Sequence, residues 1–154
     1  MSSPESKLAA LNITLPPPPQ PGGNYLPFRR EGNLVFLAGV ISASATAGEY
    51  LGQVGDELSL DDGYQAAKLC ALNALAVMKS ITGSLDDVEK ILYVGGYVNA
   101  IPAYGKSPSV INGASDLFVE LFGEDGQHAR AAVAVAGLPK NAAVEIQVNL
   151  KLKA

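Results

Sequence analysis

The sequence predicts an α+β domain in which two helices pack on one face of a mixed β-sheet. Two long segments carry apolar residues at helical spacing, and β-rich segments stand before, between and after them. The resulting order is ββαβαββ, which differs from the regular alternation of parallel α/β folds. With 154 residues, 48% of them hydrophobic, the chain has enough apolar material for the core of one domain.

The first 23 residues are predicted to form an N-terminal extension. Residues 7–11 have the composition of a short helix, which ends before the proline-rich segment 15–23. A proline run favours extended polyproline II, and the two glycines that follow it permit a sharp turn. Because no further linker is visible, we expect residues 24–154 to form a single domain.

The first half of the domain is predicted to be a hairpin, a loop and a helix. Residues 25–29 and 33–39 are rich in apolar and aromatic residues and flank a glycine-containing turn, which is typical of a hairpin. Residues 42–60 show little periodicity and are rich in Gly and Ser, as expected of a loop. A helix follows, for which Asp61 and Asp62 provide a predicted N-cap and a negatively charged first turn.

The second half of the domain begins where Gly83 is predicted to end this helix. A capping-box pattern at 84–87 predicts one short turn, and the β-rich segment 88–98 predicts a strand. Ser107 and Pro108 are the predicted cap and first position of the second helix. The closing strands are predicted at residues 130–136 and 142–151.

One face of this sheet lacks a helical cover. The closing strands alternate branched apolar residues with small or polar ones, and two helices cannot cover both faces. Association through the uncovered face is the simplest way to bury it, so we expect an oligomer. The alternating apolar positions are Val133, Val135, Val144, Ile146, Val148 and Leu150.

Composition disfavours several classes of partner. The 11 basic and 15 acidic residues give a net charge of −4, and basic residues cluster only at 29–30 and 151–153. Because a phosphate backbone is bound through positive charge, nucleic acid is disfavoured as the main partner. Neither a signal peptide nor an apolar run of about 20 residues is visible, so we expect a cytoplasmic protein without a membrane partner.

The residues of common catalytic and metal sites are almost absent. Cys70 is the only cysteine and His128 the only histidine, which excludes an internal disulfide and a two-histidine metal site. We predict that Cys70 is an inert core residue and that His128 lies exposed without a role. Gly95 and Gly96 stand within a strand and are predicted to mark a bulge or close packing. No metal and no cofactor are therefore predicted.

Two charged residues stand next to apolar runs in the closing strands. Arg130 begins one strand, and Glu145 lies within the apolar run 144–146 of the other. A charge within a buried strand costs several kcal/mol unless it is paired or used. Arginine binds a small carboxylate through two parallel N–H bonds. These residues therefore predict a site for a small carboxylate-bearing metabolite.

The motifs around these charges resemble those of the RidA/YjgF family, also called the endoribonuclease L-PSP family. The resemblance runs over residues 24–150. It implies a chorismate-mutase-like, ferredoxin-like fold assembled as a homotrimer, and an activity that hydrolyses reactive enamine or imine intermediates. The matching segments are 24–25, 32–39, 111–118, 129–130, 138–139 and 144–146.

This resemblance also implies roles for individual residues at a trimer interface. Arg130 would bind the substrate carboxylate and act in catalysis. Tyr25, Asn112 and Glu145 would line the pocket and orient water, with Tyr25 and Glu145 counted as catalytic. Gly39 would border the pocket and contact the substrate.

Two departures from the family pattern surround the expected pocket. Ala132, a predicted substrate-binding position, stands where many members have Cys, Ser or Thr two residues after the arginine. Residues 39–42 read Gly-Val-Ile-Ser where many members have Gly-Gln-Ile-Pro. The arginine itself is retained, so the departures leave the identity of the substrate open.

Three functions remain open at this point. The first is hydrolysis of a 2-aminoacrylate-like enamine or imine acid to a 2-oxo acid and ammonia. The second is a trimeric binder of a small carboxylate or 2-oxo acid without turnover, which Ala132 and the altered segment 40–42 favour. The third is an endoribonuclease, which the acidic net charge disfavours.

Each site residue also has a purely structural interpretation. Arg130 would then form an interface salt bridge with Glu145 or with a helix carboxylate. Tyr25 would be a packed aromatic, and Asn112 a local hydrogen-bond partner of the backbone. Glu145 would hold loops together at the interface.

Overall fold

A mixed sheet with helices on one face confirms the predicted ββαβαββ order. The computed structural model describes residues 2–154. Short 3-10 turns follow α2, α3 and β7, at Leu85–Asp87, Gly123–Gly126 and Pro139–Asn141. In chain order the helices and strands are α1 (Pro4–Ala10), β1 (Phe28–Glu31), β2 (Leu34–Leu37), β3 (Val40–Ile41), β4 (Ala43–Ser44), β5 (Gly48–Glu49), α2 (Leu60–Thr82), β6 (Val88–Asn99), α3 (Ser107–Phe122), β7 (Ala129–Val135) and β8 (Val144–Leu152).

β8 lies at the centre of the sheet and is hydrogen-bonded along both edges. The strand order is β1-β2-β8-β6-β7, and β3 also pairs with β8. β6 and β7 run parallel, because α3 crosses over the sheet between them, whereas the other pairs are antiparallel. The segment 42–60, predicted to be a loop, contains the separate β4–β5 pair. Strands of two residues are too short to leave a periodic pattern.

The start of α2 differs from the prediction. Ser59 is the N-cap, in place of Asp61 or Asp62. Its Oγ accepts a hydrogen bond from the Asp62 N–H at 3.0 Å, and Asp62 Oδ2 accepts one from the Ser59 N–H at 2.9 Å. This reciprocal pair is a capping box. Gly83 ends the helix as predicted, with a φ of 99° that glycine adopts without a steric cost.

The predicted cap of α3 is also wrong. Lys106 occupies the N-cap position without a side-chain hydrogen bond, Ser107 is the first helical residue and Pro108 the second. Proline is tolerated throughout the first turn, because the N–H groups there have no helical acceptor. A proline in the sequence therefore defines the first helical residue only to within one position. Ser107 is 2% exposed, and its Oγ has no hydrogen-bond partner among residues 2–154.

Small residues allow the elements to approach closely. α2 and α3 meet at Gly113, where a Cβ would overlap the carbonyl oxygen of Tyr64. Gly96 lies under Ile111, whose side chain a Cβ would approach to 2.6 Å, so the predicted close packing is confirmed there. Cys70 is fully buried as predicted, and burial raises the pKa of its thiol.

The N-terminal helix packs onto the body of the chain. It starts at Pro4, earlier than the predicted segment 7–11. Leu8 is 5% exposed and belongs to the hydrophobic core, and Glu5 forms an ion pair with Lys79 at 3.0 Å. The division of the chain into an extension and a domain stays a prediction.

The sheet face opposite α2 and α3, here called the open face, carries exposed apolar side chains. Phe36 is 47% exposed, Tyr97 37% and Val133 46%. Tyr97 pairs with Val133 on one side and with Glu145 on the other, so a carboxylate lies in the same row across the strands. Because monomeric proteins rarely expose large apolar patches, we expect the open face to bind further copies of the chain.

We expect the chain to form a trimer through the open face. Val133→Asp should yield monomers, because burying an unpaired charge between apolar strands costs several kcal/mol. Val119→Asp is the matched control, since it changes a valine of α3 that is 37% exposed and lies away from the open face. Light scattering distinguishes three times the chain mass of 15.9 kDa from a single chain. A wild-type monomer at micromolar concentration would contradict this assembly.

Candidate functional site

Arg130 lies in β7 with its guanidinium turned onto the start of α3. Nη1 donates to Asn112 Oδ1 at 2.8 Å and to Ser115 Oγ at 3.0 Å, and Nη2 donates to the carbonyl oxygen of Pro108 at 3.1 Å. All three acceptors are neutral. Within residues 2–154 no carboxylate pairs with Arg130, which contradicts a salt bridge inside one chain.

α3 positions these acceptors because its first turns face β7. Asn112 and Ser115 are three residues apart and therefore lie on the same side of the helix. The structure thus brings together Arg130 and Asn112, two of the predicted site residues. Ser115 was not predicted as a site residue, although its spacing from Asn112 was a usable signal.

His128 is half-buried, so the prediction that it lies exposed is wrong. Its ring is half-buried and meets Phe118 edge-to-face, with the ring centroids 6.1 Å apart. Nδ1 lies 2.7 Å from the carbonyl oxygen of Gly126, and Nε2 lies 2.9 Å from Ser115 Oγ. Burial lowers the pKa of His128; the Gly126 carbonyl opposes this shift, and the charge of Arg130 adds to it.

Ala132 lies on the same face of β7 as Arg130. Alternate residues of a strand share a face, and the Ala132 methyl packs against the hydrophobic core opposite Gly96. Its side chain adds no hydrogen-bonding group to the surroundings of the arginine.

Glu145 lies on the open face, on the other side of the sheet from Arg130. Its neighbours Val144 and Ile146 are fully buried toward the helices, so strand alternation turns Glu145 the opposite way. The carboxylate rests on Gly39, where a Cβ would overlap one of its oxygens. Burial raises the pKa of Glu145.

Tyr25 and Gly39 line a cleft with Glu145. The cleft has a volume of about 480 Å³, and Pro19 and Gln20 of the proline-rich segment form part of its wall. Tyr25 is 51% exposed, and its hydroxyl oxygen accepts a hydrogen bond from the Gly22 N–H at 3.1 Å. Within residues 2–154 the hydroxyl hydrogen has no acceptor, so it is available to a ligand.

The predicted site residues therefore form two groups within one chain. Arg130, Asn112 and Ala132 lie between β7 and α3, and the other three line the cleft. Arg130 shares a row with Val148 of β8, across β6, whereas Glu145 stands three positions earlier and points to the opposite face. One chain does not bring the arginine and the glutamate together.

Ser42, one of the departures from the family pattern, supports the strand that carries Glu145. Its Oγ donates to the Tyr50 carbonyl oxygen at 2.8 Å and accepts from the N–H groups of Ala143 and Val144 at 3.1 and 3.2 Å. The side chain is fully buried. This serine therefore provides a hydrogen-bond acceptor for the buried backbone N–H groups at the start of β8.

Two classes of site or segment do not occur in the part of the chain that the structure describes. No three His, Cys, Asp or Glu side chains in residues 2–154 are placed to hold a metal ion together. The helices of this region are too short or too polar for any of them to cross a membrane.

Comparison with known proteins identifies the family. The family described as YjgF/chorismate mutase-like, with a provisional endoribonuclease designation, matches residues 5–151. The chain belongs to the RidA/YjgF family. Protein TCP17 of Trypanosoma cruzi is 36% identical over 148 residues, which cover 96% of this chain and 92% of that protein.

Two further relatives support this membership. A protein of Dermatophagoides farinae named 2-iminobutanoate/2-iminopropanoate deaminase is 32% identical over 136 residues, covering 88% of this chain and 91% of its own. The solved structure of a Shewanella oneidensis protein, provisionally designated an endoribonuclease, has a TM-score of 0.93 and 31% identity. The match covers 98% of this chain and 100% of the other. Both the predicted family and the predicted fold are confirmed.

The raised pKa of Glu145 predicts that ionisation of this carboxyl destabilises the fold as the pH rises. A carboxyl whose pKa is higher in the folded state stabilises the fold below its ordinary pKa, and this contribution is lost as pH rises through the raised pKa. Glu145→Gln removes the charge at every pH. The variant should therefore melt at a higher temperature than wild type at neutral pH, and the difference should shrink toward about pH 4.

Thermal melting over this pH range measures the effect, with Glu49→Gln as the control at an exposed glutamate of β5. A lower melting temperature for Glu145→Gln at neutral pH would contradict the burial argument. It would show that the carboxylate gains a stabilising partner in the assembled protein.

Proposed function

We propose that this protein hydrolyses a 2-imino acid, or its enamine tautomer, to a 2-oxo acid and ammonia. The observation that carries this proposal is the hydrogen bonding of Arg130. Its guanidinium has five N–H donors, and three of them meet neutral oxygens of Asn112, Ser115 and Pro108. Among residues 2–154 the Nε–H and one N–H of Nη2 have no acceptor, and these two nitrogens are the pair that binds a carboxylate side-on.

The separation of the two groups of site residues supports a site between chains. Val133 of β7, Tyr97 and Glu145 occupy one row of the open face, so an interface formed there contains the glutamate. Arg130 lies in β7 too, at the edge of the sheet. In the proposed trimer, Arg130 of one chain faces the Glu145 cleft of its neighbour.

The proposed reaction needs only water, a proton carrier and a fixed substrate. Arg130 holds the carboxylate, and water adds to the imine carbon while Glu145 passes one of the water protons to the nitrogen. Glu145 then carries the proton of the new hydroxyl group to the same nitrogen, and ammonia leaves as the C–N bond breaks and the carbonyl forms. A carboxyl with a raised pKa suits this exchange, because proton transfer is most efficient near the operating pH. Fixing the substrate supplies the remainder of the acceleration.

The name of the Dermatophagoides farinae relative points to the same chemistry. That protein is named for the deamination of 2-iminobutanoate and 2-iminopropanoate. Imino acids of this class carry the carboxylate and the electrophilic carbon that the proposed site requires.

The alternative function is a binder of small 2-oxo acids without turnover. Ala132 favours it, because this position beside Arg130 supplies no hydroxyl or thiol. An endoribonuclease stays disfavoured by the net charge of −4, which gives RNA little electrostatic attraction.

A coupled assay distinguishes the enzyme from the binder. An enzyme that generates 2-aminoacrylate supplies the substrate, and pyruvate release is followed with increasing amounts of this protein. Faster pyruvate release supports hydrolysis. An unchanged rate at saturating protein, with a 2-oxo acid bound to Arg130, would select the binder.

Arg130→Ala should abolish turnover or ligand binding while the fold and the oligomer persist. Loss of a buried bidentate contact costs about 2–5 kcal/mol, or roughly thirty-fold to several-thousand-fold. Arg130→Lys should restore little, because an ammonium lacks the planar fork. Arg30→Ala is the control, since Arg30 is exposed and its Nε bonds the Gly32 carbonyl oxygen.

Activity and thermal melting measured together on these variants separate the possible roles of Arg130. Dissociation or early melting of Arg130→Ala, shared by Glu145→Ala, would indicate an interface salt bridge instead. A stable oligomer with unchanged activity after Arg130→Ala would contradict both roles.

A further inference from the structure

We propose that His128 is a positioning residue, which orients the Arg130 guanidinium through the hydroxyl of Ser115. The inference rests on the proposed function, because it concerns the carboxylate-binding arginine. The distances involved are 2.7 Å from Gly126 to His128, 2.9 Å from His128 to Ser115 and 3.0 Å from Ser115 to Arg130.

The direction of each hydrogen bond follows from its partner. A carbonyl oxygen only accepts, so Nδ1 of His128 carries the proton and donates to Gly126. In the neutral ring Nε2 is then an acceptor, and the Ser115 hydroxyl must donate to it. The lone pairs of Ser115 remain for the N–H of Arg130, which cannot accept.

This series of hydrogen bonds fixes the orientation of the Ser115 hydroxyl, which could otherwise donate to a different acceptor. A serine within a helix can donate to the carbonyl oxygen four residues earlier, which would turn its lone pairs elsewhere. The histidine removes that alternative by offering an acceptor on the side of β7. Two Arg130 donors then hold Nη1 at Asn112 and Ser115, a third holds Nη2 at the Pro108 carbonyl oxygen, and the Nε–H and the second N–H of Nη2 are left for a ligand.

The surroundings of the ring favour its neutral form. Phe118 packs against it edge-to-face, and the cation Arg130 lies two residues further along the chain. The carboxylate of Asp116 on α3 accepts a hydrogen bond from the Tyr64 hydroxyl. The other ionisable groups on the packed elements are Glu120 of α3, Glu124 and Asp125 of the following turn, and Glu89, Lys90, Tyr93 and Tyr97 of β6.

Nuclear magnetic resonance of the ring nitrogens tests the hydrogen-bond directions. Because His128 is the only histidine, labelling histidine with ¹⁵N gives the signals of a single ring. At neutral pH we expect the tautomer protonated at Nδ1. A ring protonated at Nε2 would overturn the proposal, because Ser115 would then receive hydrogen bonds from both His128 and Arg130.

A double-mutant cycle tests whether the positioning matters for binding. The probe is 2-oxobutanoate, with its dissociation constant measured by calorimetry on the assembled protein. Ser115→Ala and His128→Asn should each weaken binding by about three- to ten-fold, the range of one neutral hydrogen bond. The double variant should bind no more weakly than either single variant, because both changes break the same relay.

Two histidine substitutions form a matched pair. His128→Gln places an amide oxygen near the position of Nε2 and should retain binding within about two-fold of wild type. His128→Asn keeps a donor near Gly126 but does not reach Ser115. Equal binding by the two variants, or additive losses in the cycle, would overturn the positioning role.

The binding measurements also distinguish a failure of the positioning role from a failure of the proposed function. If wild-type protein fails to bind 2-oxobutanoate, or if Arg130→Ala binds it equally well, the carboxylate site fails and the role of His128 fails with it. If Arg130→Ala loses binding while Ser115→Ala and His128→Asn do not, only the positioning role is wrong.

Discussion

The hydrogen bonding of β8 along both edges is the constraint on which the rest of the structure depends. A strand paired on both sides cannot rotate or slip, so its alternation assigns each side chain to a face. Val144, Ile146 and Val148 are thereby buried under the helices, and Glu145 is turned to the open face. The same rule places Arg130 of β7 toward α3. The register of the sheet thus places Arg130 and Glu145 on opposite sides.

Because Arg130 and Glu145 lie on opposite faces of the sheet, the desolvation of their charges costs less free energy during folding. A guanidinium and a carboxylate buried together in one chain would have to lose their water during folding. Here Arg130 stays partly exposed and bonded to neutral oxygens, and Glu145 is only half-buried. In the proposed assembly both charges are desolvated only when chains and ligand meet. The free-energy cost of this desolvation then arises on binding and not on folding, and the ligand carboxylate offsets it.

The sequence was sufficient for features that depend on local pattern. Apolar spacing predicted α2 and α3, and the Gly83 stop follows from the left-handed conformation that only glycine adopts easily. The resemblance of motifs assigned both Arg130 and Asn112 to one pocket. Features that depend on tertiary approach were missed. His128 is half-buried because Gly126 allows the turn before it to approach the Phe118 carbonyl oxygen, which a Cβ at position 126 would overlap. The spacing of apolar residues in the sequence does not predict such a contact.

The attachment of α1 has a consequence for the proline-rich segment that follows it. Glu5 bonds both Lys79 and the N–H of Leu85, while Asp86 accepts from the Glu5 N–H, so the helix is held to the body on two sides. The segment beyond it is therefore a loop closed at both ends, by α1 before it and by β1 after it. A closed loop of prolines has few conformations left to lose. The cleft wall that Gln20 helps to form is consequently organised before any ligand arrives.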